Sequence, residues 1–298
     1  MKTLLPFLLA LYSLQPLHAQ QYCMKWIGAT VATADTQLWY VRTIATKQPW
    51  KTARLEIATT GLCCVYVNQY NVNRSVLMPH RTEGERHLPA KQDIDITPYL
   101  RSDTNTIAVW YAPQRPHTKA GEPQIAAWIY GSGEDGIPFA YPTDTNWTWS
   151  LANAGPDWTD ATMFRPDWNK AAHPTTGWQP AKPAASPILP MASSPIRTPH
   201  IVNELRPSWQ SAQADSLVAG FAGNFRGWIR VTVRGAHPGE RITINKMAYT
   251  CDGTMDEQAC RRFSAEAVNR VVIKGDHWFR PSQIQSIEGL EIKETVEE

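Results

Sequence analysis

Thr52-Ala53-Arg54-Leu55-Glu56-Ile57-Ala58-Thr59-Thr60-Gly61-Leu62 carries the clearest structural signal in the chain. Ala53, Leu55 and Ile57 alternate with Arg54, Glu56 and Ala58. A period of two puts an apolar face and a more polar face on one extended strand. Thr60-Gly61 then predicts a turn, and residues 62–68 a second strand. The same pattern continues outward. Residues 106–111 and 124–130 read as strands, the latter ending at Gly131-Ser132-Gly133. Ile229, Val231 and Val233 alternate on one side of the Pro238-Gly239 turn, and Ile242 and Ile244 on the other. Residues 271–274 and 287–292 close the series, and only residues 256–267 suggest a helix. Many short strands separated by turn signals predict an all-β chain of two antiparallel, jelly-roll-like β-sandwich domains in tandem, with few helices.

Composition fits a folded chain with a real core: 43% hydrophobic and 19% charged residues exclude a disordered or fibrous protein. Lys and Arg number 29 against 27 Asp and Glu, without a basic run, which argues against nucleic acid or an anionic membrane as the main partner. Trp outnumbers Phe, 13 to 7. An indole is a demanding core filler because its N–H needs a partner. The excess therefore points either to a stiffened β scaffold or to rings that contact flat apolar faces such as those of sugars.

Residues 1–19 have the form of a secretory leader: Lys2 at the start, an apolar run from Leu4 to Tyr12, and Leu17-His18-Ala19 before Gln20. No later stretch has 18 consecutive apolar residues, so a secreted or periplasmic protein without a membrane anchor is expected. Five cysteines in an exported chain suggest disulfides. Cys251 and Cys260 bracket a polar loop and are the expected pair; Cys63 and Cys64 are adjacent, face opposite sides of a strand and cannot readily bridge each other.

Prolines 180, 183, 187, 190, 195, 199 and 207 mark an extended connector, too dense in proline for helix or central strand. It separates a first domain, 20–179, from a second, 208–298. Catalytic motifs are wanting. The histidines form no HxH or HExxH pair, and there is no GxSxG, P-loop or GxGxxG, so neither a catalytic residue nor a metal ligand is assigned. Glu134-Asp135 and the Asp252, Asp256, Glu257 group are the densest acids, and acids in Gly-rich loops are usually solvated turn residues. Asp252-Gly253 with Asp256 and Glu257 could line a calcium loop, although the spacing is not that of an EF-hand; no other cofactor is expected. The candidate carbohydrate-binding residues are Trp147, Trp149, Trp158, Trp168 and Trp178, all in turn-rich sequence, with alternation placing the first two rings on one face. Trp26, Trp39, Trp110, Trp128 and Trp228 lie in or beside strand patterns and are assigned to cores.

The order of segments resembles a known family. Thr52 to Leu62, then Val65-Tyr66-Val67-Asn68, then Val76-Leu77-Met78-Pro79 is similar to the "ARLYI…GLY", "YING" and "LAP" blocks of the N-terminal β-sandwich of bacterial α-L-rhamnosidases. Asp93-Ile94-Asp95-Ile96-Thr97-Pro98-Tyr99-Leu100 followed by Asn105-Thr106-Ile107-Ala108-Val109 resembles their "YDVTDLL…NAIGV". In the second half, Phe221-Ala222-Gly223-Asn224-Phe225-Arg226-Gly227-Trp228-Ile229-Arg230-Val231, Val233-Arg234-Gly235 and Pro238-Gly239-Glu240-Arg241-Ile242-Thr243 look like "DFGQNFAGWVRLRVRG…PGTRIT" of the concanavalin-like domain. The chain departs at Gly220, Ala222 and Gly223, at Asn245-Lys246-Met247 and at Asn68-Gln69, where the family has acidic, polar or NG residues.

The resemblance implies a non-catalytic pair of domains. In these enzymes catalysis belongs to an (α/α)6 barrel that would begin where this sequence stops, at Glu298. The expected role is carbohydrate binding or an accessory function, with rhamnose-containing glycans as natural partners. Two alternatives stand beside it: an α-L-rhamnosidase-type hydrolase with a catalytic pair not visible in sequence, and a structural module that acts with a protein partner.

Overall fold

The computed structural model describes residues 25–30, 35–45, 49–114, 123–153, 158–171, 176–194 and 197–296; residues 1–19, expected to be a leader, and Cys23 lie outside them. The first half runs β1 (Ile27–Gly28), β2 (Gln37–Ala45), β3 (Trp50–Thr59), β4 (Leu62–Val67), β5 (Tyr70–Asn71), β6 (Ala90–Asp95), β7 (Thr104–Ala112), β8 (Gln124–Gly133), β9 (Pro138–Pro142), β10 (Thr148–Asn153), β11 (Trp158–Asp160), β12 (Gln179–Pro180) and β13 (Lys182–Pro183). The second runs β14 (Arg197–Leu205), β15 (Trp209–Ala212), β16 (Ser216–Arg234), β17 (Arg241–Ile244), β18 (Met247–Thr250), β19 (Asp256–Cys260), β20 (Glu266–Gly275) and β21 (Ile284–Val296). Helical structure among the described residues is confined to three-residue 3-10 turns, so the chain is all-β, as the alternation predicts.

Two sheets form the first sandwich. One has the order β13-β1-β8-β3-β6, with β9 also on β8; the other is β12-β10-β2-β7-β4-β5. The Thr60-Gly61 turn is the corner where the chain passes from the first sheet to the second, since β3 pairs with β6 and β8 while β4 pairs with β5 and β7. Backbone approach at the corner excludes any side chain: a Cβ on Gly61 would lie 2.2 Å from the Ala112 carbonyl oxygen. Thr60 Oγ1 shares a hydrogen bond of 3.1 Å with Tyr111 Oη and accepts one from Gln124 N–H at 3.1 Å. The inward residues Leu38, Tyr40, Leu55, Ile57, Val65, Val67, Ile107, Val109, Ile125 and Ile129 form one core. Each such aliphatic side chain contributes about 1.5–3 kcal/mol by leaving water.

The second sandwich is built on β16. Its first part pairs with β15 and β20, its last part with β19 and β21, with a register shift between Gly220 and Phe225, all within one nine-stranded sheet of order β11-β18-β17-β20-β16-β21-β14. Leu217, Phe221, Phe225, Val231, Val233, Ile242, Val271, Ile273, Phe279 and Ile287 fill its core. Residues 256–267 are not helical. Glu257 and Ala259 are buried and Asp256 and Gln258 exposed, a period of two that makes β19 a strand against β16. The sheets do not part cleanly at the connector. β11, from the first half, pairs in parallel with β18, and β14 lies within the proline-rich stretch as the edge strand beside β21. Val76 N–H also donates to the Pro199 carbonyl. The two sandwiches are thereby joined through backbone as well as side chains.

Arg81 fixes the loop that leads toward the second sandwich. It is 4% exposed and uses its whole guanidinium on backbone: Nε donates to Leu88 O at 2.7 Å, Nη1 to Pro79 O, and Nη2 to Thr59 O and Gly61 O, each at 3.0 Å. Removing it leaves four carbonyls without their donor in a buried place. Arg81→Met is expected to cost about 1–3 kcal/mol or more in urea unfolding, the range for a buried polar group left unsatisfied; a loss below about 1 kcal/mol would show that water replaces the guanidinium.

Candidate functional site

Alternation along β2 and β7 gives the second sheet two apolar faces. Leu38 and Tyr40 point into the sandwich, and Trp39 and Val41 point out, as do Ala108 and Trp110. Trp39 and Trp110 are direct cross-strand partners, with ring centroids 6.1 Å apart at 71°. Trp168 stacks on Trp39 at 5.2 Å and 13° and meets Tyr66 and Trp110 edge-on. Phe164 closes another side at 5.9 Å from Trp39. The last cover comes from the second sandwich: Phe263 packs edge-on against Trp110 at 5.6 Å, and the Arg262 guanidinium lies 5.3 Å from the centre of the same ring. Such ring and cation contacts each add about 0.5–1.5 kcal/mol beyond burial.

Beside this cluster lies a cleft of about 880 Å3 between the two sandwiches. Its floor is Trp39, Trp110 and Ala152, one wall is Pro79 to Arg81, and the other comes from Phe164, Tyr249 and the 256–265 segment. The volume lies within the range of about 300–1,000 Å3 usual for small-molecule sites. Trp110 Nε1 donates to Gln37 Oε1 at 3.1 Å, whereas buried Trp39 Nε1 has no acceptor among the described residues. Burial pushes the Tyr66 hydroxyl up to about 12, and a hydrogen bond with Arg262 opposes it.

Charges around the cleft neutralise one another locally. Arg261 pairs with Glu266 at 2.5 Å, and Glu294 lies 3.5 Å from the His80 imidazole, which carries charge only when protonated. Arg234 holds Asp256 by both oxygens and keeps its carboxyl below the usual carboxylate range. Glu257 is nearly fully buried. Its Oε2 accepts from Tyr249 O–H at 3.1 Å and Asp252 N–H at 2.9 Å, and its Oε1 from Gly253 N–H at 2.9 Å. Burial pushes this carboxyl up while the two amide donors pull it down. These acids brace a loop and leave no facing pair of free carboxylates of the kind glycoside hydrolysis needs. Glu134-Asp135 is a surface turn in which Asp135 accepts from Ile137 N–H. Among the described residues no group of three or more His, Cys, Asp or Glu is placed to hold a metal ion, and Asp252, Asp256 and Glu257 already accept N–H, O–H or guanidinium donors.

The five sequence-selected tryptophans do not converge. Trp147 and Trp149 do share one face, but it is the inner one, and both are buried in the first core. Trp168 is 3% exposed because it stacks on Trp39 beneath the cleft rim. Trp178 is half-buried against the same cluster. Trp158 opens β11, which its backbone aligns with Ala248. Cys251 and Cys260 are separate thiols, correcting the expected bridge. Cys251 points into the second core, whereas alternation on β19 turns Cys260 away from buried Ala259, toward the cleft. Side chains on opposite faces cannot meet. Burial pushes the Cys260 thiol up to about 11. Cys63 is buried in the sandwich and Cys64 lies on the opposite, outer face, as adjacency in a strand requires.

His80 gives the junction a pH dependence. Burial holds its imidazole below the ordinary 6.5, with nearby Arg86 and Arg81 acting the same way and Glu294 opposing them. The unfolded chain therefore takes up a proton first as pH falls, and stability declines on acidification below about 6.5. The urea midpoint of wild type is expected to fall relative to that of His80→Gln between pH 7.5 and pH 5. A wild-type midpoint that rises relative to the variant over that range would contradict this assignment.

Comparison with known proteins follows the same geometry. The family model described as alpha-L-rhamnosidase N-terminal domain matches residues 48–200. Among solved structures, the α-L-rhamnosidase of Dictyoglumus thermophilum superposes with TM-score 0.79 at 19% identity, over 92% of this chain and 36% of that one. That of Aspergillus terreus gives 0.77 at 18%, over 92% and 36%. That of Streptomyces avermitilis, solved in complex with L-rhamnose, gives 0.75 at 17%, over 87% and 29%. This chain thus spans about a third of each matched structure, and at these identities the likeness is one of fold. No curated protein sequence matches. The domain match, carried by the strands that build the first sandwich and by the segment leading to the second, makes the conclusion plain: the chain belongs to the alpha-L-rhamnosidase N-terminal domain family.

Proposed function

We propose that this protein is an exported carbohydrate-binding or accessory module, and that the cleft between its sandwiches takes a rhamnose-type sugar. One observation carries the reading: an 880 Å3 cleft lined by exposed Phe164 and half-buried Phe263, over the buried indoles of Trp39 and Trp110, with Arg261 and Asp256 paired at its edge. Such a site suits a neutral ligand with apolar C–H faces and hydroxyls at its edge. A 6-deoxy sugar adds a methyl group to that apolar surface. The Streptomyces avermitilis relative was solved with L-rhamnose, which makes that sugar the natural first probe. Recognition is favoured over hydrolysis because Asp256 and Glu257 are engaged in holding the loop. Export rests on the leader-like residues 1–19, and among the described residues no helix is long and apolar enough to cross a membrane.

Calorimetric titration of the mature chain with L-rhamnose and methyl α-L-rhamnoside is expected to show saturable binding. Phe263→Ala should weaken it up to about tenfold, the loss of one ring contact. Absence of heat with every rhamnoside tried would overturn the binding role, and turnover of an aryl α-L-rhamnoside would overturn its non-catalytic character.

A further inference from the structure

A second aromatic surface stands outside the cleft. Between β20 and β21, Phe279 turns into the second core and is 2% exposed, while its neighbour Trp278 points out and is 41% exposed. The His277 ring lies against the Trp278 indole at 4.3 Å and 41°, and the His237 ring, from the loop between β16 and β17, at 5.6 Å and 53°. Both imidazoles are exposed, so three rings with polar edges share one patch of surface.

The loops that carry these rings are braced. Asp276 Oδ1 accepts from Trp278 N–H at 3.0 Å, and its Oδ2 from Arg241 N–H at 2.9 Å, tying one loop to the other. Arg280 Nη1 donates to the carbonyls of His277 and Phe279. Beneath them Glu240, fully buried, accepts at Oε2 from His237 N–H at 2.9 Å and Gln283 Nε2 at 3.1 Å, while its Oε1 has no partner among the described residues. An exposed indole held this firmly contributes little to the core, and rigid exposed aromatics are what a binding surface requires. Three rings fall far short of the roughly 800 Å2 per partner of a stable protein interface, which favours a small ligand.

We infer that Trp278, flanked by His237 and His277, forms a second carbohydrate contact site, separate from the cleft, in which a pyranose packs its C–H surface on the indole and its hydroxyls meet the imidazole nitrogens. None of the three residues lines the cleft. The inference borrows from the proposed function only its choice of sugar. The test is 19F NMR of full-length mature protein carrying 5-fluorotryptophan, titrated with L-rhamnose, with the Trp278 resonance assigned by its loss in Trp278→Phe and those of Trp39 and Trp110 likewise. A saturable shift of Trp278, retained in Phe263→Ala, is the expected result. Shifts at Trp39 and Trp110 with Trp278 unmoved would overturn the second site and leave the cleft standing. A shift at Trp278 alone would support the second site and remove the cleft, and no shift anywhere would remove both. A Trp278 shift that follows protein concentration without sugar would assign the surface to self-association and overturn the sugar site.

Discussion

Trp39 and Trp110 sit opposite each other on the outer face of a sheet whose inner face is already a full core. An aromatic side chain buries roughly 150–250 Å2, a few kcal/mol of transfer free energy, so two indoles side by side strongly favour a cover. Trp168 and Phe164 supply part of it from the same half of the chain, and Phe263 with Arg262 supply the rest from the other. Docking of the two sandwiches follows from that demand. β11 adds itself to the second sheet beside it, and the cleft is the space between the aromatic floor and the strands that reach over it.

Electrostatics then decide what the cleft can do. Burying unpaired charge is costly, and the buried ionisable groups Arg81 and Glu257 are tied to backbone, while Arg86 and Arg226 line the cleft without an ion pair among the described residues. Arg81 donates to carbonyls, Asp256 accepts from Arg234, and Glu257 accepts from the loop that forms one wall. What remains accessible is the ring surface of Phe164 and part of Phe263, over Trp39 and Trp110 buried beneath, together with the guanidinium groups of Arg86, Arg226 and Arg262.

Much of the fold was legible because strand periodicity is local. Residues 52–62 alone mark a strand, a corner and the start of the opposing sheet, and the glycine at the corner is dictated by a carbonyl 2.2 Å from where a Cβ would be. The candidate site was less legible, for a reason visible in Trp147 and Trp149. Alternation correctly puts both rings on one side, but it cannot say which side faces the core. Trp39 and Trp110 are core residues as their strand context implies, but their core is a second one on the outer face of the sheet, against which distant Phe263 packs. Phe263 itself was hidden in a stretch with a weak helical look, although the alternation of Glu257 and Ala259 against Asp256 and Gln258 was a usable sign of a strand. The Cys251–Cys260 pairing failed similarly, since spacing along the chain does not tell on which face of a sheet each thiol lies.

A crystal structure of residues 20–298 grown with L-rhamnose tests the cleft most directly. Sugar density is expected in the cleft between the sandwiches, against Phe263 and the edge of Trp110, with the Phe263–Trp110 contact kept at its 5.6 Å spacing. A cleft filled only by solvent at saturating sugar, or two sandwiches separated with Trp110 bare, would contradict that expectation.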